Sequence, residues 1–302
     1  MRGLFRQLHL VAVAAILAAI YFGSGQFLRY EAVYVMAWSL TVLASSILLE
    51  YGLVNFGVAM YYAVGAYAVG LAYRFLGNAD VAVGVPLALA SGALLGLAIG
   101  LALGHLRGIY YALANLSLSM VIYGALVKFY DITGGSNGIV LPPPQLAGTT
   151  LHTPQLYLVA AALVLAALYF SSAFPETRMG RIAAGIRINE LRAVALGASP
   201  RLNVALGTAV AATFAALGGA LVAYATNIVT PDFAYWTTSG ELVVASLIGA
   251  LVSRKYGFLA GAAIYQIVRL YSYQFASPEL VIGATLLAVL ALWRRLFSRR
   301  LG

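Results

Sequence analysis

VGVPLALASGALLGLAIGLALG, residues 83–104, runs for 22 residues without a charged side chain. A helix of that length rises far enough to cross a hydrocarbon core about 30 Å thick. The stretch is not an exception. The chain has 302 residues, of which 63% are hydrophobic and 9% charged, and its mean hydropathy is +0.92. Soluble domains carry about 25% charged residues, so most of this surface is unsuited to water. The sequence reads as an all-α, polytopic transmembrane bundle: a single transmembrane domain over residues 1–302.

Nine further apolar stretches flank that one: 8–22, 33–49, 57–73, 110–128, 156–173, 203–224, 240–252, 257–272 and 279–293. With 83–104 they make about ten spans. Residues 240–252 and 257–272 are short for a full crossing, so broken or re-entrant helices there would lower the count to eight. The run 8–22 follows Arg2 and Arg6 as a signal peptide would, but no convincing cleavage site comes after it, and it reads as the first span.

Lysine and arginine positions orient the bundle. With both termini cytoplasmic, Arg2, Arg6, Arg107, Arg178, Arg181, Arg187, Arg192, Arg201, Arg254, Lys255, Arg294, Arg295, Arg299 and Arg300 fall inside; Arg29, Arg74, Lys128 and Arg269 fall outside. That bias accounts for the net charge of +9 without invoking nucleic acid, because the arginines cluster at span ends and form no aromatic-interleaved patch. The longest outer segment is then DITGGSNGIVLPPPQLAGTTLHTP (131–154), within an outer loop at 131–155. Glycines at its start permit tight turning, and Pro142–Pro144 stiffen an extended stretch. It suits contact with an external partner and a rigid connector equally well.

Several chemistries are absent. The chain has no cysteine, which removes disulfides and thiolate ligands. Only Lys128 and Lys255 are lysines, and neither lies in a phosphate-binding loop, so ATP hydrolysis by that motif is excluded. His9, His105 and His152 are far apart, no HExxH occurs, and no metal site or catalytic set is expected. No ionisable residue falls near the middle of a span; Glu241 and Arg269 lie toward span ends. Intramembrane charges usually mark ion or proton coupling, so the pattern favours a translocation pathway powered from elsewhere over an ion-driven carrier or an intramembrane enzyme.

One polar island interrupts the apolar chain. MGRIAAGIRINELRAVALGAS (179–199) holds three arginines and a glutamate, whereas the eighteen residues before Pro175 hold no charge. Nothing from Arg187 to Leu196 breaks a helix, and Gly197 offers a stop. Ile188, Leu191, Val194 and Ala195 would share one apolar face. A short amphipathic helix on the cytoplasmic side suits docking in a groove of another protein; a solvated topology anchor is the plainer reading.

The island resembles the coupling loop of ABC-importer permeases of the LivM type, which transport branched-chain amino acids. Gly180, Arg181, Ile186, Arg187, Asn189, Glu190, Ala193 and Gly197 match that family's G-R-x-x-x-A-I-R-x-N-E-x-x-A-x-x-x-G pattern, with Leu191 beside them. The likeness extends over about residues 33–270. It includes YGLVNFGVAMYYAVGAY (51–67) through Gly57, Gly65, Ala66 and Tyr67, then RGIYYALANLS (107–117), TGGSNGI (133–139), AALGGALVAY (215–224) and VTPDF (229–233). Asn55 stands where the family commonly has serine and Val58 where it has histidine. Gly249–Ala250 followed by Ser253, Arg254 and Lys255 replaces a Gly-Gly-x-Gly turn.

The resemblance implies a multi-pass subunit of the cell inner membrane with no cofactor of its own, coupled through 175–202. Its partners would be a second permease subunit, two ATPase subunits using ATP and Mg²⁺, and an extracytoplasmic binding protein that engages the outer loop at Thr133, Gly134, Gly135, Ser136, Asn137 and Gly138. Candidate pathway residues are Asn55, Tyr61, Tyr67, Tyr111, Asn115 and Ser117, polar groups in apolar surroundings, with Gly57 and Gly65 giving close approach. For each, a helix–helix hydrogen bond or an interfacial tyrosine is the competing role. A stand-alone carrier or channel, or a permease for urea or short amides, is the alternative function.

Overall fold

The computed structural model describes residues 2–77, 80–253 and 256–272, with positions 280, 283 and 284. Arg254, Lys255, the terminal arginines and nearly all of the expected span 279–293 lie outside the described residues. Helices dominate, as the apolar composition requires: in a medium without water the backbone must satisfy its own hydrogen bonds. They are α1 (Arg2–Gly23), α2 (Gln26–Leu49), α3 (Val58–Leu76), α4 (Val81–Leu103), α5 (Gly108–Lys128), α6 (Tyr130–Thr133), α7 (Thr153–Ala173), α8 (Arg178–Ile188), α9 (Glu190–Ala195), α10 (Pro200–Thr226), α11 (Trp236–Val252) and α12 (Gly257–Ser272).

Among the described residues, five stretches are long and apolar enough to cross a membrane: α2, α4, α5, α10, and α7 with the turn after it. Leu10–Gly23 and α11 are shorter apolar helices. Tyrosines 61, 62, 67 and 73 lower the hydropathy of α3, which is nonetheless 19 residues long. The stretches suspected of being broken, 240–252 and 257–272, each fall in one continuous helix. They pair as a hairpin because Gly249 and Gly257 bring their backbones together; a Cβ on either would strike the other's carbonyl oxygen.

Helix α10 is the centre of the bundle, and α2, α3 and α4 pack round it. Small residues set this packing. On α4, Gly92, Gly96 and Gly100 fall at intervals of four and so lie on one face. A Cβ on Gly92 would lie 2.8 Å from the Ala212 oxygen, and one on Gly100 2.7 Å from the Ala205 Cα. On α3, Gly65 meets the Ala216 backbone in the same way. Apolar helices gain little from hydrophobicity in lipid, so close backbone approach and dispersion must hold them together.

The connections gather at two ends. At one end the Tyr51 hydroxyl donates to Asn203 Oδ1 at 3.0 Å, and the Arg201 guanidinium donates to the Leu101 carbonyl at 3.0 and 3.2 Å. Burial pushes the Tyr51 hydroxyl well above its usual range, which keeps it a neutral donor. At the other end β1 (Ile139–Val140) pairs antiparallel with β4 (Ile228–Val229), and β2 (Gln145–Leu146) with β3 (Thr149–Thr150). Asp80 caps α4 through the Ala82 amide and accepts a second bond from the Ala147 amide at 2.8 Å. The long 131–154 segment is therefore tied to the bundle at β1 and at the β2–β3 turn.

Candidate functional site

The polar island does not form the single helix expected from Arg187 to Leu196. Asn189 is extended, with φ −160° and ψ 104°, and it ends α8 and begins α9. Its side chain accepts from the Arg192 amide at 2.9 Å. Asparagine often prefers such local capping to a helix interior, and the regular spacing of the apolar face hides that competition. Gly197 does terminate the segment, at φ +85°.

The segment divides into an anchored face and an open one. Gly180, Ala183, Ile186 and Ala193 are buried, and a Cβ on Gly180 would collide with the Phe174 carbonyl. Ile188, Leu191 and Leu196 are 81%, 83% and 83% exposed, and Val194 and Ala195 are exposed beside them. Arg181, Arg187, Asn189 and Gly197 are exposed as well. So Gly180, Ile186 and Ala193 are packing residues, whereas Leu191 and its apolar neighbours are left uncovered.

Arg107, from the α4–α5 junction, ties the island to the bundle. Its Nε and NH2 donate to both carboxylate oxygens of Glu190, at 2.7 and 2.8 Å. Its NH1 donates to the Gly104 and Leu106 carbonyls, so the guanidinium is itself held in place. Nothing in the spacing of the sequence indicates this pairing across 83 positions. A cavity of about 420 Å³ adjoins the segment, lined by Glu50, Arg187, Ser171 and Ser253 among others.

Most of the pathway candidates cluster where α3, α5 and α10 meet, whereas Tyr67 lies further along α3, beside Asp232. Asn55, Tyr61, Tyr67, Tyr111 and Asn115 are all buried. Asn55 Oδ1 accepts from the Gly57 amide at 2.7 Å, capping the approach to α3. Gly57 lies against the Asn115 carbonyl so closely that no side chain fits. Asn115 Nδ2 donates to the Tyr111 carbonyl at 2.9 Å, and the Tyr111 and Thr208 hydroxyls are 3.3 Å apart. Asn55 Nδ2, Asn115 Oδ1 and the Tyr61 and Tyr67 hydroxyls make no hydrogen bond of good geometry among the described residues. Ser117 does not join them: it is exposed on α5 and donates back to the Leu113 carbonyl. Thr208 and Ser239, absent from the sequence-based candidates, belong to the cluster instead, Ser239 accepting from the Ala59 amide at 3.0 Å. Thr208 carries the signal that singles out Asn115, a polar residue in an apolar run, whereas Ser239 sits in the polar stretch WTTSGE (236–241) and gives no such signal.

At the opposite end, Thr133 Oγ1 donates to the Leu126 and Phe129 carbonyls. Gly134, Gly135 and Gly138 have φ of +79°, +56° and +70°, values that favour glycine. They turn the chain so that Ile139 reaches β4. Only Ser136 and Asn137 of this motif are fully exposed. Gly134, Ser136 and Gly138 also spell GxSxG, contrary to the expectation that no catalytic signature occurs. The serine lies within a short helical turn, Gly135–Asn137, that leads into β1, not at the strand-to-helix elbow that makes such a serine nucleophilic.

The sequence profile of the family described as "Branched-chain amino acid transport system / permease component" matches residues 28–290. The chain belongs to that family. Its curated relatives include the high-affinity branched-chain amino acid transport system permease protein LivM of Escherichia coli K12, 26% identical, with 80% of this permease and 63% of the relative covered. LivM of Salmonella typhimurium LT2 is 25% identical with the same coverage. This family member therefore spans less than two thirds of the length of those relatives. No solved structure matches it. Family and apolar helices together make the permease a membrane protein, and its relatives are transport system permeases.

Proposed function

We propose that the chain is the membrane-spanning subunit of an ABC importer for branched-chain or other hydrophobic amino acids. It sits in the inner membrane with about ten spans and both termini in the cytoplasm. The observation that carries the reading is the uncovered apolar face of Ile188, Leu191 and Leu196 on a segment anchored by Glu190 to Arg107. An apolar surface so exposed at a bundle end calls for a partner, and ATPase subunits fit the family. Arg107, Arg178, Arg187, Arg192 and Arg201 gather at that end, as a cytoplasmic face requires.

In this scheme two ATPase subunits grip α8–α9, a second permease subunit completes the pathway, and a binding protein delivers the ligand to the clipped 131–154 segment. ATP and Mg²⁺ act on the ATPases. Movement of the segment would pass through Arg107 to α5, which carries Tyr111 and Asn115. The unpartnered polar atoms of Asn55, Tyr61 and Asn115 are the groups that a solute's ammonium or carboxylate would meet.

Co-purification of the full chain from native membranes in mild detergent, with partners identified by mass spectrometry, tests the reading. ATPase subunits should be recovered with it and be lost on Leu191→Glu. Recovery of the chain alone, with transport in liposomes lacking ATP, would replace the importer with a stand-alone carrier.

A further inference from the structure

A cavity of about 290 Å³ lies at the end of the bundle that carries the β1–β4 pair, on the far side from α8–α9. It is lined by Tyr30, Glu31, Tyr34, Thr226, Gln266 and Arg269, with Leu270 at its edge. These residues come from the first turns of α2, the last residue of α10 and the end of α12, which places the cavity where an apolar bundle meets the headgroup layer. Gln266 is only 7% exposed, and its Nε2 has no hydrogen-bond partner among the described residues. A buried amide donor left unpaired costs about 1–3 kcal/mol, so its position favours an acceptor bound in the cavity.

The charge beside it is held in place. Arg269 donates to the Tyr34 hydroxyl at 3.1 Å, and its guanidinium carbon lies 5.5 and 5.8 Å from the Tyr34 and Trp38 ring centres. Trp38 stacks in turn on Tyr265, with centroids 5.3 Å apart and planes 7° from parallel. An arginine braced on stacked rings suits an anionic oxygen. Glu31 adds a carboxylate to the same wall. A ligand matching this wall carries an anionic group with acceptor oxygens for Gln266 and Arg269 and a primary ammonium for Glu31. Outside the cavity Phe27, Leu28, Ile267 and Tyr271 are exposed, an apolar flank suited to acyl chains.

We propose that this cavity binds the headgroup of an ethanolamine phospholipid, phosphate on Gln266 and Arg269 and ammonium on Glu31. The proposal is independent of what the permease carries.

The test titrates the purified full chain in detergent with dihexanoyl phosphatidylethanolamine, below the concentration at which that lipid forms micelles, and follows thermal stability. Wild type should show a saturable rise in melting temperature. Glu31→Gln and Gln266→Leu should each shift the midpoint by roughly tenfold, the scale of one hydrogen bond to a charged group. Glu31 is partly exposed, so its variant keeps the test valid if Gln266→Leu does not fold. Dihexanoyl phosphatidylglycerol acting as well as the ethanolamine lipid would overturn the ammonium contact. Saturation by free leucine but not by the lipid would make this a small-solute site and overturn the lipid assignment. No saturable response to the lipid would overturn the proposal outright.

Discussion

Arg107 and Glu190 face each other in a two-pronged ion pair, at 2.7 and 2.8 Å, that joins the α4–α5 junction to the start of α9. The side chains are 29% and 37% exposed, and pairs that open to water contribute only about 0.2–1 kcal/mol to stability. The value of the pair therefore lies in where it holds α9. Arg107→Glu and Glu190→Arg should each reduce ATP-driven uptake in proteoliposomes while leaving the melting temperature almost unchanged. The double exchange should restore uptake at least partly. Failure of the exchange to recover anything would mean that the two residues act separately.

Leu191 and Gly180 should part company. Leu191→Glu removes an uncovered side chain, so stability should stay within about 0.5 kcal/mol while ATPase binding is lost. Gly180→Ala forces a methyl group against the Phe174 carbonyl, and it should lower thermal stability first. Limited proteolysis within 175–202 alongside a pull-down separates the two outcomes.

On the α4–α10 seam, Gly92→Val should destabilise by about 1–3 kcal/mol or more, because its Cβ meets the Ala212 oxygen at 2.8 Å. Gly124→Ala on α5 meets nothing within 4 Å, and should be neutral or stabilise by up to about 1 kcal/mol. Melting curves of both variants in one detergent measure the contrast.

Tyr61→Phe removes a buried hydroxyl that makes no hydrogen bond of good geometry. Deleting an unpaired buried hydroxyl costs no hydrogen bond, so stability should hold or rise. If the hydroxyl meets the solute, uptake should fall. Unchanged uptake with raised stability would mark Tyr61 as a packing residue.

Much of this is legible in the chain. The apolar runs become helices because a charge-free stretch of about 20 residues has few other destinies, and glycine after Leu196 ends the island where expected. Gly57 and Gly65 are the close-approach positions that the sequence suggests. The failures have local or long-range causes. Asn189 breaks a helix by capping the next one, a choice set by competing local hydrogen bonds. Ser117 points away from the buried cluster, unforeseen because periodicity gives little phase to a helix as apolar as α5. Arg107 looks like one more topology charge, since a pairing across 83 residues leaves no mark on spacing.

Helix α10 begins at Pro200, a few residues after α9, and ends at Thr226, against the strand that pairs with Ile139 and Val140. Its 27 residues rise about 40 Å without a break. A continuous helix wedged by small residues along its length transmits displacement poorly by bending and well by sliding or rotating as one piece. A push on the β1–β4 clip and a pull on the arginine-rich end thus address the same rigid member, and neither end can be reset while the other is held.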